Sequence, residues 1–280
     1  MTRTWFITGT SSGLGLEMTK ILLARGDTVI ATVRKPGILT DLIAQYGDRL
    51  DVMQLDVTDT AQIRDVINQA FARYRTIDVI VNNAGYGLFG AAEELGDDQI
   101  VHQINTNIIG SIQVIRAALP HLRAQKHGRI LQVSSEGGQI AYPNFSLYHT
   151  TKWGIEGFVE AVRQEVSGFG IDFTIIEPGP TQTGFGDGLI SPPPLDAYKG
   201  TPAHQVREAI ANGDFTIKGD AVNTAQAMVN AVDVTPAPLR VTLGSTAYHA
   251  IHAALHERLR SLEAQKDIAF SADRSETQRP

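Results

Sequence analysis

The 280-residue chain sets 24 Lys and Arg against 30 Asp and Glu, a formal charge of −6 at pH 7, and contains no cysteine. That balance argues against a nucleic-acid footprint or a polybasic membrane anchor, and the missing thiols exclude disulfides, cysteine nucleophiles and cysteine metal ligands. No apolar run approaches the ~18 residues of a membrane span, and the opening residues lead straight into a strand without an apolar leader. A soluble, cytoplasmic protein with neither membrane nor nucleic-acid partner is therefore expected.

In chain order the pattern alternates strand and helix. Thr4–Thr8 reads as a strand, followed by the glycine loop Gly9-Thr-Ser-Ser-Gly13-Leu-Gly15 and a helix to about Arg25. Thr28–Val33 and Leu50–Leu55 are the second and third strands. Asp56-Val-Thr-Asp59 is a turn whose last residue caps the helix Ala61–Tyr74. Asp78–Val81 is a fourth strand, ending in Asn82-Asn83-Ala84-Gly85. A long helix over about Asp97–Gln125, the strand Arg129–Val133 and a helix over Ser146–Ser167 follow, with further strands at Asp172–Ile176 and Leu239–Thr242. Continuous apolar strands between amphipathic helices specify an α/β fold: a Rossmann-like, doubly wound, seven-stranded parallel sheet covered on both faces. One domain over 1–265 and a polar, frayed tail over 266–280 are expected.

In such a sheet ligands lie beyond the carboxyl ends of the strands, where strand order reverses. The chemistry-bearing residues cluster there. Gly9, Gly13 and Gly15 follow the first strand, Asp56 the third, Asn82–Gly85 the fourth, Ser134 and Ser135 the fifth, and Pro178-Gly179 the sixth. Glycines between a strand and a helix allow a tight turn, a close backbone approach to a pyrophosphate and a helix N-terminus aimed at anionic oxygens. The spacing Gly-x-x-x-Gly-x-Gly lacks the Gly-Lys-Ser/Thr of a P-loop.

Ser134–Lys152 is the stretch where the reaction is expected. Two hydroxyls end a strand, a Gly/Pro-rich loop follows, and a helix then carries Tyr148 and Lys152. Residues four apart stand on one helix face, one turn from each other. A phenol titrates near pH 10. A neighbouring ammonium favours the phenolate and eases proton exchange with an alcohol or carbonyl oxygen, which a serine hydroxyl could also hold.

Thr8-Gly9-Thr-Ser-Ser-Gly13-Leu-Gly15, Asn82-Asn83-Ala84-Gly85, Ser135 and Tyr148-x-x-x-Lys152 together resemble the short-chain dehydrogenase/reductase family. The resemblance is continuous from about Arg3 to Thr183 and looser to about Leu262. It implies that Ser135 polarises the substrate oxygen, with Ser134 on the opposite face of its strand. Tyr148 would be proton donor in reduction and base in oxidation, and Lys152 would lower the tyrosine's pKa and hold the nicotinamide ribose. Asn107, in Asn105-Thr-Asn107-Ile-Ile-Gly110, would hold a water in the proton relay; by itself it reads first as a satisfied polar residue within a helix. The dinucleotide would be held by Gly9, Ser11, Ser12, Gly13, Leu14, Gly15, Asn83, Ala84 and Gly85, by Tyr148 and Lys152, and by Pro178, Gly179, Thr181 and Thr183. Asp56 would accept from the adenine amino group, with Val57 beside it. No metal is needed. The family also implies a homodimer or homotetramer built through the long helix and the tyrosine helix, where Gly154 and Gly157 would permit close approach.

At the end of the second strand an acidic residue selects the ribose 2′-hydroxyl of NAD, whereas arginine accommodates the 2′-phosphate of NADP. Here Val33 is followed by Arg34 and Lys35. NADP(H) is favoured, and NAD(H) stays open because Ser12 replaces the basic residue often found before the second glycine in NADP-type relatives. From Gly184 to about Gly219 the chain shows no strand period and carries Phe185, Leu189, Ile190, Leu195 and Tyr198. With Phe89, Tyr142, Pro143 and Phe145 this segment would form an apolar pocket with little fixed charge. A hydrophobic ketone, aldehyde or secondary alcohol is expected as substrate, with a catalytically silent nucleotide sensor as the alternative. His249, His252 and His256 could share a helix face, but no second metal-binding signature accompanies them.

Overall fold

The computed structural model describes residues 2–186, 188–214 and 217–274. Seven parallel strands form the main sheet: β1 (Thr4–Ile7), β2 (Thr28–Val33), β3 (Leu50–Gln54), β4 (Val79–Asn82), β5 (Gly128–Val133), β6 (Ile171–Pro178) and, after a two-residue pair β7 (Thr181–Gln182) and β8 (Gly219–Asp220), β9 (Arg240–Leu243). Their order is β3-β2-β1-β4-β5-β6-β9, so the sheet reverses direction between β1 and β4. This is the doubly wound arrangement expected from the apolar runs.

The period-two alternation of each strand divides the core into two halves. Phe6, Ile30, Ile80 and Ile130 point to one face, under α3 (Thr60–Arg73), α5 (Ser111–Gln125) and α6 (Ser146–Glu165). Trp5, Ile7, Val29, Val81 and Leu131 point to the other, where Met18 and Leu22 of α1 (Gly13–Arg25) and Met228 and Val229 of α8 (Ala221–Ala231) cover them. Covering both faces leaves the backbone groups of the inner strands to the ladders with their neighbours.

Four local features depart from the sequence reading. The long helix is two helices, α4 (Asp97–Ile104) and α5, joined by a π-helical turn at Asn105–Gly110. A short helix, α2 (Thr40–Tyr46), stands between β2 and β3. The segment expected to be irregular contains α7 (Pro202–Ala211), opened by the Thr201 side chain accepting from the His204 N–H with Pro202 in the first turn. The tail continues helical after α9 (Ser245–Glu263) as α10 (Lys266–Ser271) rather than fraying at 266. Asp187, Phe215 and Thr216 of the expected substrate loop, and residues 275–280 of the tail, lie outside the described residues. Among the described residues no helix is long and apolar enough to cross a membrane.

Candidate active site

The crevice at the carboxyl ends of β1 and β4 is built by hydrogen bonds between strand ends. The Thr8 hydroxyl accepts from the N–H of Asn83 at 2.9 Å and of Ala84 at 3.0 Å, and the Asn83 amide donates to the carbonyls of Thr8 and Gly9 at 2.9 and 3.0 Å. These bonds seat the Asn83-Ala84-Gly85 segment against the glycine loop. Gly9 sits at φ +71°, and a Cβ there would stand 2.9 Å from Ala84 Cα; a Cβ at Gly15 would stand 2.4 Å from the Gly9 carbonyl oxygen. Only glycine fits both positions. Ser12, the N-cap of α1, makes no side-chain cap bond, so the helix opens with donors not taken up by its cap. Ser11 is exposed, Gly13 lies beneath Thr183, and Leu14 packs partly into the core. A backbone cradle of this shape, at the start of a helix, fits a pyrophosphate.

The remaining nucleotide candidates line the same crevice. Asp56 Oδ1 accepts from the Thr58 N–H at 2.9 Å and hydroxyl at 2.7 Å. Burial works to raise its pKa, but those two bonds, then the Arg34 and His102 charges, outweigh it and hold the carboxyl below its ordinary value. Arg34 and Lys35 are exposed at the end of β2, and Val57 is buried over Gly110. Beyond β6, Gly179 lies against Thr246 and Ala247 of α9, and the Thr181 hydroxyl donates to the Gly179 carbonyl at 2.9 Å. Thr183 Oγ accepts from the Phe185 N–H at 3.2 Å, closing Pro178–Thr183 over the glycine loop.

Ser135 and Tyr148 face each other across the loop joining β5 to α6. Ser135 Oγ accepts from the Gly137 N–H at 3.1 Å, which occupies a lone pair and leaves its proton free to donate outward. Burial pushes the Tyr148 phenol up to about 12, against the Ser135 hydroxyl and with the Glu136 charge adding to the rise. Lys152 lies 5.5 Å from the Tyr148 ring centre, and its Nζ donates to the Val133 carbonyl at 3.0 Å. Burial pulls this ammonium down to about 8, against the pull of Glu156 one turn along α6. Desolvation is thus the larger influence on the phenol here, while the ammonium spends one donor on the strand.

Ser134 points the other way and donates to Glu156, which also takes bonds from Gln139 and Arg240. Arg240 reaches Glu160 and Glu177 as well, and Thr242 donates to Glu177 at 2.9 Å. This buried network ties β9 and α6 to the loop bearing Ser135. Gly138 is required by it, since a Cβ there would overlap the Glu156 carboxylate at 1.8 Å.

Asn107 lies in the π turn, a local widening that recurs at functional sites. Its carbonyl oxygen Oδ1 accepts from the Tyr86 N–H at 3.1 Å, and its amide donates to Tyr86 O at 2.9 Å and Thr151 Oγ at 3.2 Å. The side chain thus braces the fourth strand's exit against α6.

Several participants were not singled out in the sequence. His149 accepts from the Tyr142 N–H at its Nε2 (2.8 Å), which places the proton on Nδ1, 2.9 Å from the Gly137 carbonyl. Burial lowers its pKa, in keeping with a neutral ring. Glu136 is buried, and its Oε1 accepts from the Tyr142 hydroxyl at 2.8 Å. Burial raises its pKa, opposed by the bond from the Tyr142 hydroxyl. Over this end of the crevice, Phe185 lies 5.6 Å from the Tyr148 ring; the Phe89 N–H donates to the Ile190 carbonyl at 2.9 Å, and the Ile190 N–H donates to the Gly87 carbonyl at 3.1 Å. Glu94, its side chain fully buried, accepts from the N–H groups of Ala91 and Leu195 and from Arg207. Asn144, at φ +68°, donates to the Ala203 carbonyl at 2.7 Å.

Away from this crevice, the His252 and His256 rings approach to 3.2 Å, while His249 stacks edge-on to Tyr248. Among the described residues no group of three or more His, Asp or Glu side chains is placed to hold a metal. Gly154 packs against Ile108 of the π turn, and Gly157 is exposed with open space above it.

Comparison with known proteins agrees with this geometry. The family model described as short chain dehydrogenase matches residues 3–191. An oxidoreductase of Botryotinia fuckeliana, BOA17, is 38% identical over 252 residues, covering 88% of this chain and 90% of its own. The crystal structure of a short-chain dehydrogenase from Streptomyces avermitilis superposes with a TM-score of 0.90 at 34% identity, over 98% of this chain and all of that one. The closed form of a serine dehydrogenase complexed with NADP+ superposes with a TM-score of 0.72 at 28% identity, over 86% of this chain and 93% of that one.

Proposed function

Because the chain belongs to the short-chain dehydrogenase family and is an NAD(P)-dependent oxidoreductase, we propose that it reduces hydrophobic ketones or aldehydes with NADPH, and in reverse oxidises secondary alcohols. The observation that carries this reading is the meeting of the Ser135 and Tyr148 hydroxyls at the end of β5, with Lys152 one turn further along α6. When bound, the nicotinamide supplies or accepts the hydride. Ser135, its lone pair engaged by Gly137, donates its hydroxyl proton to the substrate oxygen and holds it. Tyr148 gives its phenolic proton to that oxygen in reduction, and takes a proton from it in oxidation. A phenol held at about 12 is fully protonated near neutrality, which suits the donor role. Lys152, near 8, lies close enough to neutral pH to pass protons on and keeps two further donors for a ribose.

Cradle, brace and roof divide the remaining roles. Gly9, Ser11–Gly15 and Asn83–Gly85 would hold the pyrophosphate and adjoining ribose; Asp56 and Val57 the adenine; and Pro178, Gly179, Thr181 and Thr183 the nicotinamide end. Asn107 acts by positioning Tyr86 and Thr151, whose hydroxyl donates to the Tyr148 carbonyl at 2.7 Å. Arg34, exposed beside Asp56, supports NADPH over NADH because a guanidinium matches a phosphate in a bidentate pair. The NADP+ complex of the serine dehydrogenase supports the same choice. The test is a panel of carbonyl compounds followed by NADPH absorbance, repeated with NADH and with Arg34→Ala. Turnover with NADPH, weakened about 10-fold or more in Arg34→Ala while NADH is little affected, is the expected result. Binding of NADPH without turnover of any carbonyl would replace the reductase by a nucleotide sensor.

A further inference from the structure

Glu136 is a carboxylate beside the reacting hydroxyls, and its bonding is incomplete. It follows Ser135 directly, so its Cα stands about 3.8 Å from that of the residue expected to hold the substrate oxygen. Its Oε1 accepts from Tyr142, while Oε2 is buried and has no partner. The side chain cannot be dismissed as a surface acid: the residue is 5% exposed. Tyr142 is held at its backbone, its N–H donating to the His149 ring, and at its hydroxyl by Glu136, while the residue is 40% exposed. A Cβ at Gly137 would stand 2.7 Å from His149 Nδ1, and one at Gly138 would meet Glu156. The Glu136-Gly-Gly turn therefore has little freedom to swing the carboxylate elsewhere.

A buried carboxylate oxygen without a donor carries the full cost of its lost hydration. An all-carbon substrate leaves that cost in place, whereas a substrate carrying a hydrogen-bond donor would relieve it. Such a site discriminates by what it leaves unpaired as much as by what it binds. Phe89, Phe145 and Phe185 supply apolar wall on the remaining sides of Tyr148. Resting on the reductase reading above, we propose that Glu136, presented with Tyr142, binds a hydrogen-bond-donating substituent, a hydroxyl or an ammonium, close to the carbonyl that is reduced. The substrate class is then a hydroxy- or amino-ketone with an apolar remainder.

The test uses three ketones of equal chain length, 2-octanone, 1-hydroxy-2-octanone and 1-amino-2-octanone, with the NADPH-loaded wild type, Glu136→Gln and Tyr142→Phe. Glutamine keeps an acceptor for Tyr142 but removes the charge. The expected wild-type preference for a donor-bearing ketone over 2-octanone is about 10- to 100-fold in kcat/KM, the range for a hydrogen bond to a charged group. In Glu136→Gln that ratio should fall to a few-fold for the amino-ketone, and in Tyr142→Phe it should persist. A preference confined to the amino-ketone identifies the donor as an ammonium; one shared by both identifies the hydrogen bond itself. Equal turnover of all three ketones by wild type, or an unchanged ratio in Glu136→Gln, overturns the proposal while leaving the reductase intact. Should none of the three turn over, binding to the NADPH-loaded protein decides by calorimetry. Tighter binding of 1-amino-2-octanol or 1,2-octanediol than of 2-octanol, lost in Glu136→Gln, supports the site, and equal binding overturns it. Melting curves and NADPH binding of both variants identify any that fail to fold.

Discussion

Replacing Arg240 by methionine should unbalance the buried charge network behind the Ser135 loop. Arg240 touches three carboxylates, and two of them, Glu156 and Glu177, have side chains only 3% and 2% exposed. The third, Glu160, is 47% exposed and contributes little, about 0–1 kcal/mol. Removing the guanidinium leaves two buried acids without their counter-ion, and breaking a buried pair in this way costs about 3–5 kcal/mol. At roughly 2–4 °C per kcal/mol for a large domain, the melting temperature should fall by roughly 6–20 °C. The pH dependence has a definite sign. Burial already raises the Glu177 pKa, with the Glu156 charge adding to it and Arg240 opposing it. Without Arg240 the folded-state value rises further above that of the unfolded chain, so the variant takes up a proton on folding. Its deficit is then smallest near the unfolded carboxylate value, about 4.3, and grows as pH rises through the elevated folded value. Thermal unfolding by circular dichroism at about pH 5.5 and about pH 8.5 measures both effects. A loss below about 1 kcal/mol, identical at the two pH values, would refute the view that these carboxylates depend on Arg240.

Three further outcomes follow from the site. Tyr148→Phe should bind NADPH as wild type does and lose turnover by about 10²- to 10⁴-fold, measured by fluorescence titration and initial rates; turnover within a few-fold of wild type would remove Tyr148 from its role. The rate of reduction should decline as pH rises through about 8, where Lys152 gives up its proton, and a profile flat to pH 10 would dissociate Lys152 from proton delivery. Gly15→Ala should fold but lose nucleotide affinity by about 100-fold or more, because a Cβ 2.4 Å from the Gly9 carbonyl must displace the cradle; calorimetry with NADPH gives the answer directly.

The sheet was legible because strands buried on both faces must be apolar throughout, and Thr28–Val33 or Gly128–Val133 can be little else. The site was legible for a related reason. Residues that serve a crevice collect at strand ends, and Gly9, Asn83, Ser135 and Pro178 each occupy one. What escaped the sequence has tertiary causes. Nothing in the apolar period of 97–125 marks the π turn, since its stabilisation comes from Asn107 reaching Tyr86 and Thr151, residues remote in the chain. Helix α7 buries none of its residues fully, its Ala203, Val206 and Ala209 stripe being short and only half-covered, although Thr201-Pro202 is a start signal. Glu136 looks, in sequence, like a solvated acid in a glycine turn. Only the folded loop shows that water has been taken from it, with one of its oxygens left unpartnered.

Glu94 has a mechanical consequence for traffic through the crevice. One buried side chain gathers Ala91, Leu195 and Arg207, three points that are distant in sequence but share a single knot. Breaking it frees Ala91 and Leu195 together, while the Phe89–Ile190 and Asn144–Ala203 bonds hold neighbouring points on their own. Exchange of amide hydrogens at Leu195 and Ala91 should accordingly rise together, at one common rate, whenever the doorway stands ajar.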